Sequence, residues 1–284
     1  MNRFIHPLLT GLLLALSMAC TPLNAQGEPP LRIGVKRDVP LWGEWQGGEL
    51  KGLEPDLARD LGRQLGRRVE LIGLNTAERI EALQSRRVDL LIATLSDTPQ
   101  RREMLHLVRP HYYQSGVNVL VRRNDRVTRW EDLQRRRACA RQGAFYNRQV
   151  FIEFGLELVP LYDNHLAQHA VWLGRCDAWL HDDTALIALL RDPRWSAEFE
   201  MPLPSRLNTP WSIAMRREQA DSDLARQVSQ AVVRWHQSGL LIQLEHRWGI
   251  PSSVFVQTMH QRWRDPQHSG CTWPITPDTP SPCL

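Results

Sequence analysis

Lysine is almost missing from this 284-residue chain: Lys36 and Lys51 are the only two, so 33 of its 35 basic residues are arginine. A lysine-rich tail or patch is therefore excluded. Arginines also alternate with Asp and Glu along the sequence, and the net charge is only +4. A nucleic-acid partner, which needs basic residues gathered on one face, is not indicated. The chain contains no Cys-x-x-Cys pair, so a structural zinc site is not expected. It also has no Gly-x-Ser-x-Gly, P-loop or dinucleotide fingerprint. Long apolar runs are absent after the first twenty residues. With 42% hydrophobic and 23% charged residues, the composition is that of a globular protein and excludes a disordered chain, a coiled coil or a collagen-like polymer.

The N-terminus has the form of an export signal, assigned to residues 1–25. Arg3 precedes an apolar run of twelve residues, Leu8 to Ala19, too short for the ~20 residues that cross a bilayer but suited to a signal-peptide core. Ala25 offers a cleavage point. Leu16 to Cys20 resembles a lipoprotein box, but Ser17 stands where such a box has Leu, so lipid attachment at Cys20 is the less favoured course. The expected location is the periplasm. Beyond Ala25 four cysteines remain, Cys139, Cys176, Cys271 and Cys283, and in an oxidising compartment they allow two disulfides in three connectivities. Local pairing, 139 with 176 and 271 with 283, is the economical choice. The last two lie in a tail, 266–284, that carries five prolines and cannot build a core of its own.

Between these ends, strand and helix patterns alternate. Leu31–Val35, Val69–Ile72 and Asp89–Ala93 read as strands. Residues 55–65 and 76–84 read as helices, the first with Leu57, Leu61 and Leu65 on one face and Gly66 as its stop. A second set follows Val117–Val121, with strands at 137–141, 158–161 and 177–180 and helices at 144–154, 164–173 and 183–190. A strand at 211–215 and a long helix at 221–238 are left over. Two lobes with chain crossovers near 120 and 211 return that remainder to the first lobe. The expected class is α/β, with each lobe a parallel-rich sheet flanked by helices and two hinge crossovers. Lobe 1 comprises 26–120 and 211–250, lobe 2 comprises 121–210, and 251–284 is a C-terminal extension. Ligands of such sheets bind beyond the strands' carboxyl ends, which here means the cleft between lobes.

One strand end carries an anion-binding pattern. In Ala93-Thr-Leu-Ser-Asp-Thr-Pro-Gln-Arg101, Thr98 and Pro99 start a helix, and Arg101 falls in its first turn, where the helix dipole disfavours a cation. A carboxylate clamped by Arg101 beside the hydroxyls of Thr94 and Ser96 accounts for this placement. A solvated arginine pair is the alternative.

These residues bring the chain into resemblance with the polar amino-acid family of bacterial periplasmic solute-binding proteins, the receptors of ABC uptake systems, over about 30–250. The resemblance rests on Gly52-Leu-Glu-Pro-Asp56, Arg79-Ile80, Val88-Asp-Leu90, Thr98-Pro-Gln-Arg101, Pro110-His-Tyr-Tyr113, Gly174-Arg-Cys-Asp177 and Trp248. It implies the two-lobed type II periplasmic binding protein fold and a monomer working with an inner-membrane ABC permease. No cofactor or metal is implied. It further implies that Arg101 holds the ligand α-carboxylate, with Thr94 and Ser96 in the same pocket, and that a second-lobe carboxylate, here Asp182, takes the α-ammonium. One of two adjacent Asp residues should cap the following helix, and Asp183 is assigned that role. Some members carry cysteines where Cys139 and Cys176 stand, which favours that bridge. Thr76 and Arg79 match the segment that holds a side-chain carboxylate in the glutamate- and aspartate-binding members. Lys36 and His165 occupy further comparable positions, the latter only with a one-residue gap. Trp42 and Trp45 lie where the family places an aromatic wall. The chain departs from the family at Gly143-Ala144: the usual hydroxyl after the glycine is gone, leaving Gly143 with backbone donors only.

The expected ligand is a polar, acidic L-amino acid, and the expected protein is not an enzyme. Two alternatives share the fold: a cyclohexadienyl or arogenate dehydratase-like enzyme, with Glu78 or Asp182 as acid or base, and a sensing subunit for a membrane receptor. His165 and His169, four apart on one helix, form a metal-like pair without a third ligand and are read as surface histidines.

Overall fold

The computed structural model describes Met1 and residues 28–264. The signal segment, Cys20, the 271–283 cysteine pair and the proline-rich tail lie outside the described residues. The chain begins with β1 (Leu31–Lys36), followed by β2 (Asp38–Val39), β3 (Gly43–Gln46) and β4 (Glu49–Lys51), which form a small antiparallel sheet of their own. Then come α1 (Leu53–Leu65), β5 (Val69–Leu74), α2 (Arg79–Gln84), β6 (Leu90–Ile92), α3 (Pro99–Met104) and β7 (Leu105–Leu107). The middle of the chain holds β8 (Tyr113–Arg122), β9 (Arg137–Arg141), α4 (Asn147–Phe154), β10 (Glu157–Leu161), α5 (Asn164–Trp172), β11 (Ala178–Asp182), α6 (Asp183–Leu189), α7 (Pro193–Glu198), β12 (Phe199–Glu200) and β13 (Arg206–Trp211). It closes with β14 (Ala214–Arg216), α8 (Asp223–Ser238), α9 (Leu240–Trp248) and α10 (Val254–Arg264).

Two mixed α/β sheets result. The first has the order β5-β1-β6-β14-β7, with β1 parallel to both neighbours and β14 antiparallel. The second has the order β10-β9-β11-β8-β12, with β13 paired to β8. Because β1 and β9 each lie between parallel neighbours, the carboxyl ends of β1, β6, β9 and β11 converge on the space between the lobes. The hinge is the antiparallel pair β8 and β13. Tyr113 and Trp211 at one end belong to the first lobe's core, while Val117, Val119 and Val121 further along β8 belong to the second. The expected crossover at 120 therefore falls inside the second-lobe half of β8, and the leftover strand divides into β13 and β14.

Local signals explain the helix boundaries. Leu57 and Leu61 are fully buried on α1, and Gly66 ends it at φ 64°. Ser222 caps α8 by accepting from the Ala225 N–H, and Gly239 ends it in the left-handed region. The start of α2 departs from the pattern. Asn75 and Glu78 close a turn reciprocally, each side chain accepting the other's backbone N–H at 3.0 Å. The helix therefore starts at Arg79, and Thr76 is left in a loop. The Cys139–Cys176 disulfide is present, joining β9 to the residue pair ahead of its parallel neighbour β11. Among the described residues no helix is long and apolar enough to cross a membrane.

Candidate functional site

Buried charge gathers where the strand ends meet. Lys36 closes β1, Arg79 opens α2, Arg101 lies in α3, Arg141 closes β9 and Asp182 closes β11, and each is at most 5% exposed. Arg79 points its guanidinium at the backbone beyond β6, donating to the carbonyls of Ala93 (2.5 Å) and Thr94 (2.8 Å) and to the Thr94 hydroxyl (3.3 Å). Arg101 donates to the Ser96 carbonyl at 2.8 Å and lies 5.8 Å from the Phe145 ring of the opposite lobe. Its backbone N–H is held by the Thr98 hydroxyl, the cap expected of the Thr-Pro start. Neither Arg79 nor Arg101 has an ion-pair partner among the described residues. Thr94 thus serves Arg79 rather than Arg101, and Ser96 contributes its carbonyl.

Arg141 is the residue that sequence reasoning missed. Its guanidinium donates to the Thr76 hydroxyl of the first lobe at 2.7 Å and pairs with Asp182 of its own lobe. Asp182, expected to take a ligand ammonium, is therefore occupied by a protein cation. Asp183 does not cap α6. It accepts instead from Ser115 Oγ (2.7 Å) and the Gly116 N–H (3.1 Å) at the hinge. Lys36 pairs with Asp38 at 2.8 Å and donates to Thr76 at 3.1 Å.

The histidine assignment is corrected by one residue. His165 is exposed and lines an outer recess with His169 and Trp172. Asn164 is the buried neighbour: its side chain donates to the Asp38 carbonyl across the cleft (3.0 Å) and meets His181 Nε2 at 3.0 Å. A one-residue shift on a helix rotates a side chain by about 100°, enough to turn it from cleft to solvent. Trp42 is likewise corrected. Fully buried, it packs edge-on against Tyr113 (4.6 Å) and Trp211 (4.8 Å), and it belongs to the first lobe's core, not to a ligand wall. Gly143, at φ 77°, closes against the Thr76–Ala77 backbone of the other lobe.

Burial sets the electrostatics. Arg79 is pushed down to about 9 by burial and by Arg101 and Arg141 beside it. Arg101 is pushed down to about 10 by burial, with Asp182 acting in the other direction. Burial lowers Lys36 to about 8 despite Asp38. Arg141 is held above the ordinary guanidinium value, because Tyr146 and Asp182 outweigh its burial. Glu54, at the start of α1, is raised to about 7 by burial although it accepts from the Thr94 N–H and the Tyr112 hydroxyl, both at 2.6 Å. Guanidinium groups remain charged in proteins, and the downward shifts of Arg79 and Arg101 come first from burial and then from neighbouring charges.

An open cleft of about 780 Å³ adjoins the charged group at Arg101 and Gly143 and is bordered further by Ile80, Met104, Phe145 and Ile152. Glu78, a candidate acid or base, bridges the lobes instead, accepting from Tyr162 at 2.7 Å. Burial would raise its carboxyl, but Tyr162, the Asn75 N–H and Arg37 hold it below the usual value. A proton donor at neutral pH needs the reverse.

Residues 31–251 match the family model for bacterial extracellular solute-binding proteins, family 3. The arginine-binding extracellular protein ArtP of Bacillus subtilis is 22% identical over 241 residues, covering 81% of this chain and 91% of that protein. The L-cystine-binding protein TcyJ of Escherichia coli is 24% identical over 223 residues, covering 77% and 82%. Among solved structures, holo ArgBP of T. maritima superposes with a TM-score of 0.67 at 21% identity, covering 77% of this chain and 95% of that one.

Proposed function

Since the chain belongs to the bacterial extracellular solute-binding proteins of family 3, we propose that it is the receptor of an amino-acid-type ABC uptake system, closing its lobes on a small anionic solute. The observation that carries the reading is the pair of buried guanidinium groups, Arg79 and Arg101, without ion-pair partners among the described residues. A carboxylate accepts two parallel N–H bonds from a guanidinium, and burial strengthens the attraction. ArtP is named for arginine, but a cationic side chain here meets Arg79 and Arg101, which have no ion-pair partner among the described residues, while Asp182 and Asp38 are already paired with Arg141 and Lys36. Like charges 4 Å apart repel by roughly 4 kcal/mol at an effective dielectric of 20. Acidic solutes are therefore favoured over basic ones. Ligand contacts from both lobes stabilise the closed state, whose outer surface the inner-membrane permease would engage.

A thermal-shift screen of the exported protein against amino acids and small carboxylic acids tests this reading. Acidic compounds should raise the melting temperature, and at 100-fold excess over Kd the stabilisation is about 2.7 kcal/mol. Arginine should leave it unchanged. In Arg101→Ala the bound carboxylate loses its partner, a loss of roughly 3–5 kcal/mol by analogy with broken buried ion pairs. Calorimetry giving near-native affinity for that variant would remove Arg101 from the site.

A further inference from the structure

The carboxylates and cations of the cleft are unevenly partnered. Glu54 accepts from Thr94 and Tyr112. Asp38 is paired with Lys36 and bonded to Asn164, and Asp182 is paired with Arg141. Every carboxylate of the group thus has a protein partner, whereas Arg79 and Arg101 have no carboxylate. An α-ammonium approaching Asp182 would also approach Arg141, adding a fifth cation to a group already rich in positive charge. The backbone beside Gly143 is engaged as well, since the Ala144 N–H donates to the Arg141 carbonyl at 3.2 Å. With no hydroxyl on Ala144, position 144 offers an α-carboxylate no donor.

We infer that the solute is a dicarboxylic acid without an amino group, its two carboxylates held by Arg79 and Arg101, and that Arg141 takes the place at Asp182 which an ammonium would need. The inference rests on the anionic-solute reading above and names its chemical class. Arg141 is then the residue that sets specificity: it neutralises the acceptor for an ammonium and adds a cation where a keto, hydroxyl or unsubstituted carbon is tolerated.

Isothermal titration of the purified exported protein compares pairs of equal carbon number, 2-oxoglutarate with L-glutamate and succinate with L-aspartate. The acid lacking nitrogen should bind at least about tenfold tighter in one pair, a difference of about 1.4 kcal/mol. If neither pair shows that preference, the inference is overturned and the anionic reading stands. Heat from monocarboxylates only has the same meaning, and heat from no acid at all overturns both. In Arg141→Ala, which frees Asp182, the ratio should move toward the amino acid by about tenfold or more, and an unchanged ratio overturns the role of Arg141. Should that variant fail to fold, Asp182→Asn serves instead. It releases Arg141 and should tighten 2-oxoglutarate or succinate, whereas weakened binding of both overturns the inference.

Discussion

Thr94 shows how much one backbone conformation contributes to the site. Its φ of 47° lies in the left-handed region that a β-branched residue rarely adopts, and its N–H is held there by Glu54 and Tyr112. In that pose its carbonyl and hydroxyl face Arg79. Glu54 is thus a positioning residue, and its titration should be visible in stability. Its pKa rises from 4.5 to about 7 on folding, so the folded chain holds a proton that the unfolded chain releases. The stabilisation is complete below pH 4.5 and lost as the pH rises through 7, on the order of 3 kcal/mol. Glu245, also raised to about 7 by burial, acts in the same direction. His181 and His236, lowered by burial, act in the opposite one. The difference between wild type and Glu54→Gln isolates the carboxyl: the variant should gain melting temperature relative to wild type between pH 5 and 7. A constant difference would show that Glu54 does not titrate there.

At the scale of elements, short connections place the charged side chains. The Asn75–Glu78 turn delays α2 and leaves Thr76 free to receive both Lys36 and Arg141. Gly43 is required beside Lys36, where a Cβ would stand 2.3 Å from the Lys36 carbonyl. In the second lobe the Cys139–Cys176 bridge spans 37 residues and fastens β9, which carries Arg141, to the entry of β11, which carries Asp182. Replacing both cysteines by alanine should lower unfolding stability by about 2–5 kcal/mol, read as a fall in denaturation midpoint. If stability were unchanged, the bridge would have no part in holding the two strands. Beyond the family's matched region, α10 packs Val256, Met259 and Trp263 against the body, so part of the C-terminal extension is an ordered helix.

For the whole molecule the relevant quantity is the closed state. Tyr162 to Glu78, Asn164 to Asp38 and Arg141 to Thr76 each join the lobes. Tyr162 is the most exposed of these, so Tyr162→Phe should open the closed form slightly without disturbing either core. A hydrogen bond worth about 0.5–1.5 kcal/mol predicts roughly two- to tenfold weaker solute binding by calorimetry. Unaltered affinity would place Tyr162 outside the closure.

The alternation of strands and helices, the stops at Gly66 and Gly239 and the capped start at Thr98 were legible in the sequence, because each depends on neighbours within a few residues. The partner of Asp182, the burial of Trp42 and the choice of Asn164 over His165 were not. These depend on which strand ends meet across the cleft and on single-residue register, and local periodicity carries neither. The arginine bias of the composition was visible at once. Only the fold, by bringing Arg79, Arg101 and Arg141 to one buried point, turned part of that bias into a local concentration of positive charge.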